Sequence, residues 1–381
     1  MKIVTIVGAR PQFIKAAVVS RAIEEYNRDR RGGCMIEEVI VHTGQHFDEN
    51  MSDIFFQEMS IPRPRYHLGI GGTSHGAMTG RMLERLEEVI LREKPDAVMV
   101  YGDTNSTLAG ALAAVKLHVP VAHVEAGLRS YNMRMPEEVN RILTDRISRW
   151  LFCPTAASVE NLKNEGFCIQ DGKRLFEHQP VVALVGDVMY DAALFYKKIA
   201  RPSQEIAELI KKFPDGFYLA TIHRAENTDE SVRLQSILKA LEAIAREIPV
   251  VLPLHPRTRQ CLMVNHNQLE YVHQIAPVGY FDMITLLSHC RGVFTDSGGI
   301  QKEAYFFGKP CVTLREETEW VELVEHGFNI LAGADYERIL AAESRMRDKR
   351  IDTLIDLYGS GNAGRKIVQV LLEGVYEHTA Y

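Results

Sequence analysis

Twelve short apolar runs alternate with amphipathic stretches along this chain, and no other feature limits its fold so tightly. Six fall in the first half: Lys2–Gly8, Glu38–Thr43, Asp96–Tyr101, Val119–Val124, Trp150–Cys153 and Val181–Val185. Six follow: Phe217–Ile222, Pro249–Leu254, Glu270–Ile275, Gly292–Thr295, Pro310–Leu314 and Phe328–Leu331. Many are β-branched and apolar at consecutive positions. A strand with one wet face alternates instead. These runs therefore read as strands buried on both faces, in parallel sheets covered by helices.

The stretches between them carry the helical period. Met78, Met82, Leu86, Val89 and Ile90 make one stripe over Met78–Glu93, and Leu234, Ile237, Leu238, Leu241 and Ile244 make another over Ser231–Glu247. Pro11 and Pro136 sit where a first-turn proline is tolerated. A strand with its crossover helix takes roughly 30 residues. The 381 residues thus have room for two sets of six, which predicts two doubly wound α/β domains. The polar stretch Gly166–Pro180 precedes the expected junction. The domains are expected over 1–185 and 186–362, followed by a helix within 363–381. Ligands bind at the C-terminal ends of parallel strands. If those ends face each other, the site lies in the cleft between the domains.

Composition narrows the function. A hydrophobic content of 46% without low-complexity tracts excludes a disordered chain. No apolar run reaches the ~18 residues of a membrane span, and Met1 leads straight into the first strand. The expectation is a cytoplasmic protein with no membrane partner. A net charge of −6 argues against nucleic acid but not against a small anion. The six cysteines lie far apart without a C-x-x-C, so no metal and no disulfide is expected.

The chemistry-bearing residues cluster just after strands. Gly8-Ala-Arg10-Pro-Gln-Phe-Ile-Lys15 turns from strand into helix, where unpaired amides favour an anion and Arg10 and Lys15 add charge. Ser297-Gly298-Gly299 repeats this in the second half, and Glu303, one turn on, suits a ribose diol. A plain glycine turn with a capping carboxylate fits the same residues. Asp103, Glu125 and Glu137 form an acidic group after strands three and four and at a helix start, with Arg129, Arg134 and Arg141 near in sequence. Carboxylates sharing a cleft raise one another's pKa, which suits proton transfer near neutrality. Helix capping by Asp103 and a structural ion pair by Glu137 compete with that reading. His223 is the histidine favoured for phosphate contact or proton handling; His46 and His255 are intermediate candidates. Arg315 and Glu319 are placed to close the same pocket.

Five motifs then carry a resemblance: Gly8–Lys15, Gly102-Asp-Thr-Asn-Ser-Thr107, His123-Val-Glu-Ala-Gly-Leu-Arg129, Pro136-Glu-Glu-Val-Asn-Arg141 and Asp296–Glu303. In order and spacing, over essentially the whole chain, they resemble the bacterial UDP-N-acetylglucosamine 2-epimerase family. The resemblance implies a GT-B fold of two Rossmann-like domains with the active site in the cleft, and a final helix crossing back to the first domain. It implies a UDP-sugar substrate, no cofactor and a homodimer. It matches Arg10, His223, Ser297 and Gly299 to diphosphate binding, Glu303 to the ribose, and Arg315 to a cleft arginine. Lys15, Asp103, Glu125, Glu137 and Arg141 match positions around the reacting sugar. Gly8-Ala-Arg-Pro-Gln-Phe, His223-Arg-Ala-Glu226, Thr318-Glu-Trp-Val-Glu322, Thr43–Met51 and Arg129–Met135 look like the branch acting on UDP-2,3-diacetamido-2,3-dideoxy-glucuronic acid in O-antigen biosynthesis. Some family members carry a second, regulatory nucleotide-sugar site, from which Phe47-Asp48 and Ala225 depart. Arg134 and Asn132 are the expected contacts to the uronate and the C3 acetamido group. UDP-N-acetylglucosamine is the alternative substrate. The rival readings are a glycosyltransferase of the same fold, a hydrolysing epimerase and a nucleotide-sugar sensor.

Overall fold

In the computed structural model, residues 1–29, 34–45, 56, 62–169, 179–264, 269–351 and 355–376 are described. His46 and most of the Thr43–Met51 motif, Phe47 and Asp48 included, lie outside them. The chain forms two compact units, Met1–Ala192 with the chain from Leu357 onward, and Ala193–Asp356.

The first unit is a seven-stranded parallel sheet. Its strands are β1 (Lys2–Val7), β2 (Glu37–His42), β3 (Tyr66–His67), β4 (Ala97–Tyr101), β5 (Val121–Val124), β6 (Trp150–Cys153) and β7 (Val181–Leu184). Their order is β3-β2-β1-β4-β5-β6-β7. The expected count of six is corrected to seven: Tyr66 and His67 pair with Val41 and His42 at the edge. A two-residue strand is too short to show any periodicity. Both faces of the central strands are buried. One face packs Val4, Ile6, Val98 and Val100 against Met82, Leu86, Val89 and Ile90 of α2 (His75–Glu93) and the alanines of α3 (Asn105–Lys116). α1 (Arg10–Asp29) is paired with the last described helix (Ala363–Tyr376), and Gly364 lies against Val18. α4 (Pro136–Ile147) opens on Pro136, and α5 (Ala156–Asn164) follows β6.

The second unit holds β8 (Tyr218–Thr221), β9 (Val250–Pro253), β10 (His273–Ile275), β11 (Gly292–Thr295), β12 (Cys311–Thr313) and β13 (Asn329–Leu331). Their order, β10-β9-β8-β11-β12-β13, repeats that of the first sheet up to β6, with no counterpart of β7 among the described residues. Leu234, Ile237, Leu238, Leu241 and Ile244 of the helix Ser231–Ala245 seat on Tyr218, Ala220, Val250 and Leu252, as their spacing predicts. Among the described residues no helix is long and apolar enough to cross a membrane.

The expected junction lies at residue 186, whereas the compact units change at Ala192 and Ala193, inside the helix Val188–Ile199. The first turn of that helix is tied to the returning chain. Asp187 N–H donates to the Tyr358 carbonyl, and Asp191 accepts from Gly364 N–H. Neither contact has a signature in local sequence.

Candidate active site

In both sheets the order reverses beside the first strand, and the residues favoured from the sequence follow the strands around that point. In the first unit they follow β1, β4 and β5. The turn after β1 admits only glycine at position 8, because a Cβ there would lie 2.1 Å from Thr43 Oγ1 and 2.2 Å from Ser106 Oγ. Gln12 then holds the turn: its Oε1 accepts from the Gly8 and Ala9 amides, and its amide donates to the Tyr101 carbonyl. This sets Arg10 at the start of α1 and Lys15 one turn further on.

Lys15 is buried, and its Nζ lies 2.7 Å from Glu125 Oε2. Glu125, directly after β5, has φ +75, a left-handed conformation that costs a non-glycine residue energy and that the surrounding structure must enforce. Asp103 follows β4 by two residues and accepts from Arg141 Nη1 at 2.6 Å. Desolvation pushes the Asp103 pKa up; Arg141 and Lys15 oppose this, while Glu125 and Glu137 add to it. A carboxylic acid held above its ordinary range suits a group that exchanges a proton near neutrality.

The structure separates two neighbours on α4. Glu137 is exposed in the first turn. Glu138, passed over in the sequence reading, is fully buried. It accepts from the amides of Ser130 and Tyr131 and from Arg141. Burial works against its charge, but these donors prevail and its pKa lies below the ordinary value. Arg141 thus bridges Glu138 and Asp103, which aims the Asp103 carboxylate. Arg129 faces Asp145 and Glu165. Arg134 is exposed, its own amide donating to Asn132 Oδ1.

In the second unit the residues follow β8, β11 and β12. Asp296 is the organiser, and the sequence reading gave it no role. Fully buried, it accepts from the amides of His223 and Arg224 and from Asn227 Nδ2. The Nδ1 of His223 lies 3.2 Å from Asp296 Oδ1. Burial lowers the His223 pKa, Arg224 lowers it further, and Asp296 opposes both. His255 lies beside it, with ring centroids 5.6 Å apart. Ser297 caps the helix Gly298–Phe306, its Oγ accepting from Ile300 N–H.

The two glycines differ. A Cβ on Gly298 would lie 2.2 Å from Glu319 Oε1, so position 298 is small because of that carboxylate. A Cβ on Gly299 would meet nothing nearer than Ser297 Oγ at 3.9 Å, which leaves open space over the helix start. Glu303 is buried one turn on. Arg315 is buried and donates to Glu319 at 3.0 Å, so these two residues pair with each other. Among the described residues, no three His, Cys, Asp or Glu side chains are grouped to hold a metal ion.

Each unit thus places its candidate residues after strands at the point where the sheet order reverses: Arg10, Lys15, Asp103 and Glu125 in the first, and His223, Ser297, Gly299 and Glu303 in the second. A family model described as UDP-N-acetylglucosamine 2-epimerase matches residues 30–372. The chain belongs to the UDP-N-acetylglucosamine 2-epimerase family. It is 56% identical to the UDP-2,3-diacetamido-2,3-dideoxy-D-glucuronate 2-epimerase of Pseudomonas aeruginosa, over 97% of this chain and 99% of the relative. The Methanocaldococcus jannaschii UDP-GlcNAc 2-epimerase, solved in complex with UDP-GlcNAc and UDP, superposes with TM-score 0.86 at 40% identity, covering 98% of this chain and all of that one. The Neisseria meningitidis UDP-GlcNAc 2-epimerase, solved bound to UDP-GlcNAc, gives 0.84 at 31%, with 98% and 100% covered. The fold is accordingly the GT-B type with two Rossmann-like domains, and the chain is an isomerase of UDP-sugars.

Proposed function

We propose that the chain inverts C2 of UDP-2,3-diacetamido-2,3-dideoxy-D-glucuronate, giving the manno epimer for surface-polysaccharide biosynthesis. The observation that carries the chemistry is the pair of acids at adjacent strand ends, Asp103 with its raised pKa and Glu125 on Lys15. The sugar rests on the 56% identity to the Pseudomonas enzyme.

The C2 proton has no neighbouring carbonyl to acidify it, so simple abstraction is too slow. Elimination solves this. The C1–O bond to UDP breaks as a base takes the C2 proton from the opposite face, leaving a glycal and UDP. A proton then adds to the other face of C2 and the diphosphate returns to C1, so no atom is gained or lost. Asp103, Glu125 and Glu137 are the pool from which base and acid are drawn. Arg10, His223 and the Ser297–Gly299 amides hold the diphosphate while it carries the departing charge. Glu303 takes the ribose diol, and Arg315 steadies the adjoining loop through Glu319. Lys15 and Arg141 fix the carboxylates. The protein acts in the cytoplasm as a homodimer.

Turnover in heavy water, read by proton NMR at C1 and C2 without any acceptor, tests the reading. Product carrying deuterium at C2 is expected, and epimer without that label sinks the elimination route. Running UDP-N-acetylglucosamine beside the diacetamido uronate decides the sugar, since the Methanocaldococcus relative was solved with the simpler one bound. Turnover that requires an acceptor sugar would identify a glycosyltransferase instead.

A further inference from the structure

His123 lies in β5, two residues before Glu125, and is wholly buried. Both of its ring nitrogens meet oxygen. Nε2 is 2.7 Å from the Gly102 carbonyl, and Nδ1 is 2.7 Å from Asp145 Oδ1. A carbonyl only accepts, so Nε2 carries a proton. Asp145 Oδ2 already takes the Gly127 amide at 3.1 Å and Arg129 Nη1 at 2.8 Å. Burial works to raise the Asp145 pKa; the bonds from His123 and Arg129 outweigh it and keep the carboxylate ionised. An ionised carboxylate only accepts, so Nδ1 carries a proton as well. Arg129 closes the chain on Glu165 at 2.6 Å. Two cations and two anions then alternate from the core out to the half-buried Glu165, and each buried charge among them is compensated, as low-dielectric burial requires.

The pair joins the three segments that carry the proposed proton-handling acids. Gly102 immediately precedes Asp103. Gly127 follows Glu125 by two residues. Asp145 lies on α4, which also carries Glu137 and Arg141. We propose that His123 is held as an imidazolium by Asp145 and that the pair positions the loops of Asp103 and Glu125 against α4. His123 and Asp145 are positioning residues: they act through the backbone of Gly102 and Gly127. The inference rests on the epimerase reading for the role it serves, and on hydrogen-bond complementarity with an Asp145 carboxylate paired to Arg129 for the protonation.

Two measurements test it, after turnover of the parent enzyme has been shown; an inactive parent counts against the epimerase reading, not against the ring's protonation. The first is nitrogen-15 NMR of the histidine-labelled full chain at about pH 7.5, with His123→Gln identifying the signal. Two protonated nitrogens on the His123 ring are expected; a neutral ring overturns the proposal. The second is steady-state kinetics of His123→Gln and Asp145→Asn. Misplaced acids should lower kcat by ~10–100-fold, while KM and UDP affinity stay within about threefold. A kcat within threefold of the parent in both variants, or a loss matched by weaker UDP binding, overturns the positioning role. Should neither variant fold, the His123 ring of the parent is assigned through its bonds to its own backbone, and the spectrum still decides.

Discussion

Removing the Lys15 ammonium breaks one buried ion pair, and the cost can be worked from the structure. Unit charges 2.7 Å apart attract by roughly 6 kcal/mol at an effective dielectric of about 20. Most of that offsets desolvation, and breaking a buried pair typically costs about 3–5 kcal/mol. Lys15→Met leaves the Glu125 carboxylate buried without its cation. The side chain then has an escape, which is to take up a proton. Protonating an ordinary glutamate, of pKa about 4.3, costs roughly 3.7 kcal/mol at pH 7 and about 1 kcal/mol at pH 5. These figures cap the electrostatic penalty at each pH. The sign follows from linkage: in the variant the folded-state pKa of Glu125 is raised, so stability is retained at low pH and lost as pH rises. The assay is urea unfolding followed by tryptophan fluorescence. The chain has two tryptophans, buried Trp150 in the first unit and buried Trp320 in the second. A Trp320→Phe background therefore reports the first unit alone. The expected loss is about 3–4 kcal/mol at pH 7, shrinking to about 1 kcal/mol at pH 5, with most of it restored by Lys15→Met/Glu125→Gln. A loss that is the same at both pH values, or a double variant no better than the single, would refute the reasoning.

Three further outcomes are expected. Asp103→Asn, Glu125→Gln and Glu137→Gln should each lower turnover by ~100-fold or more where the group transfers a proton; near-parental rates in all three would empty the proposed pool. Gly298→Ala forces a methyl onto Glu319 and should destabilise the second unit by about 1–3 kcal/mol, seen through Trp320. Gly299→Ala has room, so it should weaken UDP binding in calorimetry without moving the unfolding midpoint; the reverse pattern in the pair would refute the two roles. Burial pushes Asp191 up to about 6, against the Gly364 and Ala363 amides. Its folded pKa lies above the ordinary ~3.9, so its stabilising effect is full below about pH 4 and is lost as pH rises through about 6. The stability of the parent relative to Asp191→Asn should fall by ~1–2 kcal/mol between pH 4 and 7, allowing for partial exposure. A flat difference across that window would show that Asp191 titrates normally.

The sequence by itself determined the layered architecture. Strands buried on both faces must be apolar at every position, so β1, β4, β8 and β11 announced themselves, and the stripe of Leu234 to Ile244 announced the helix over them. It also placed Arg10, Asp103, Glu125, His223 and Ser297 at strand ends, because a parallel sheet exposes only those ends to a ligand. Local pattern carries that information, since each strand or helix face is a short run of residues. Tertiary structure alone decided the partners. Asp296 holds His223 from 73 residues away, Gln12 reaches Tyr101 across 89, and His123 meets Asp145 across 22. Glu137 and Glu138 are alike as letters, yet one is exposed and the other is buried under Ser130, Tyr131 and Arg141. A side chain's charge state and aim depend on which distant groups the fold brings within about 3 Å, and no local periodicity encodes that distance.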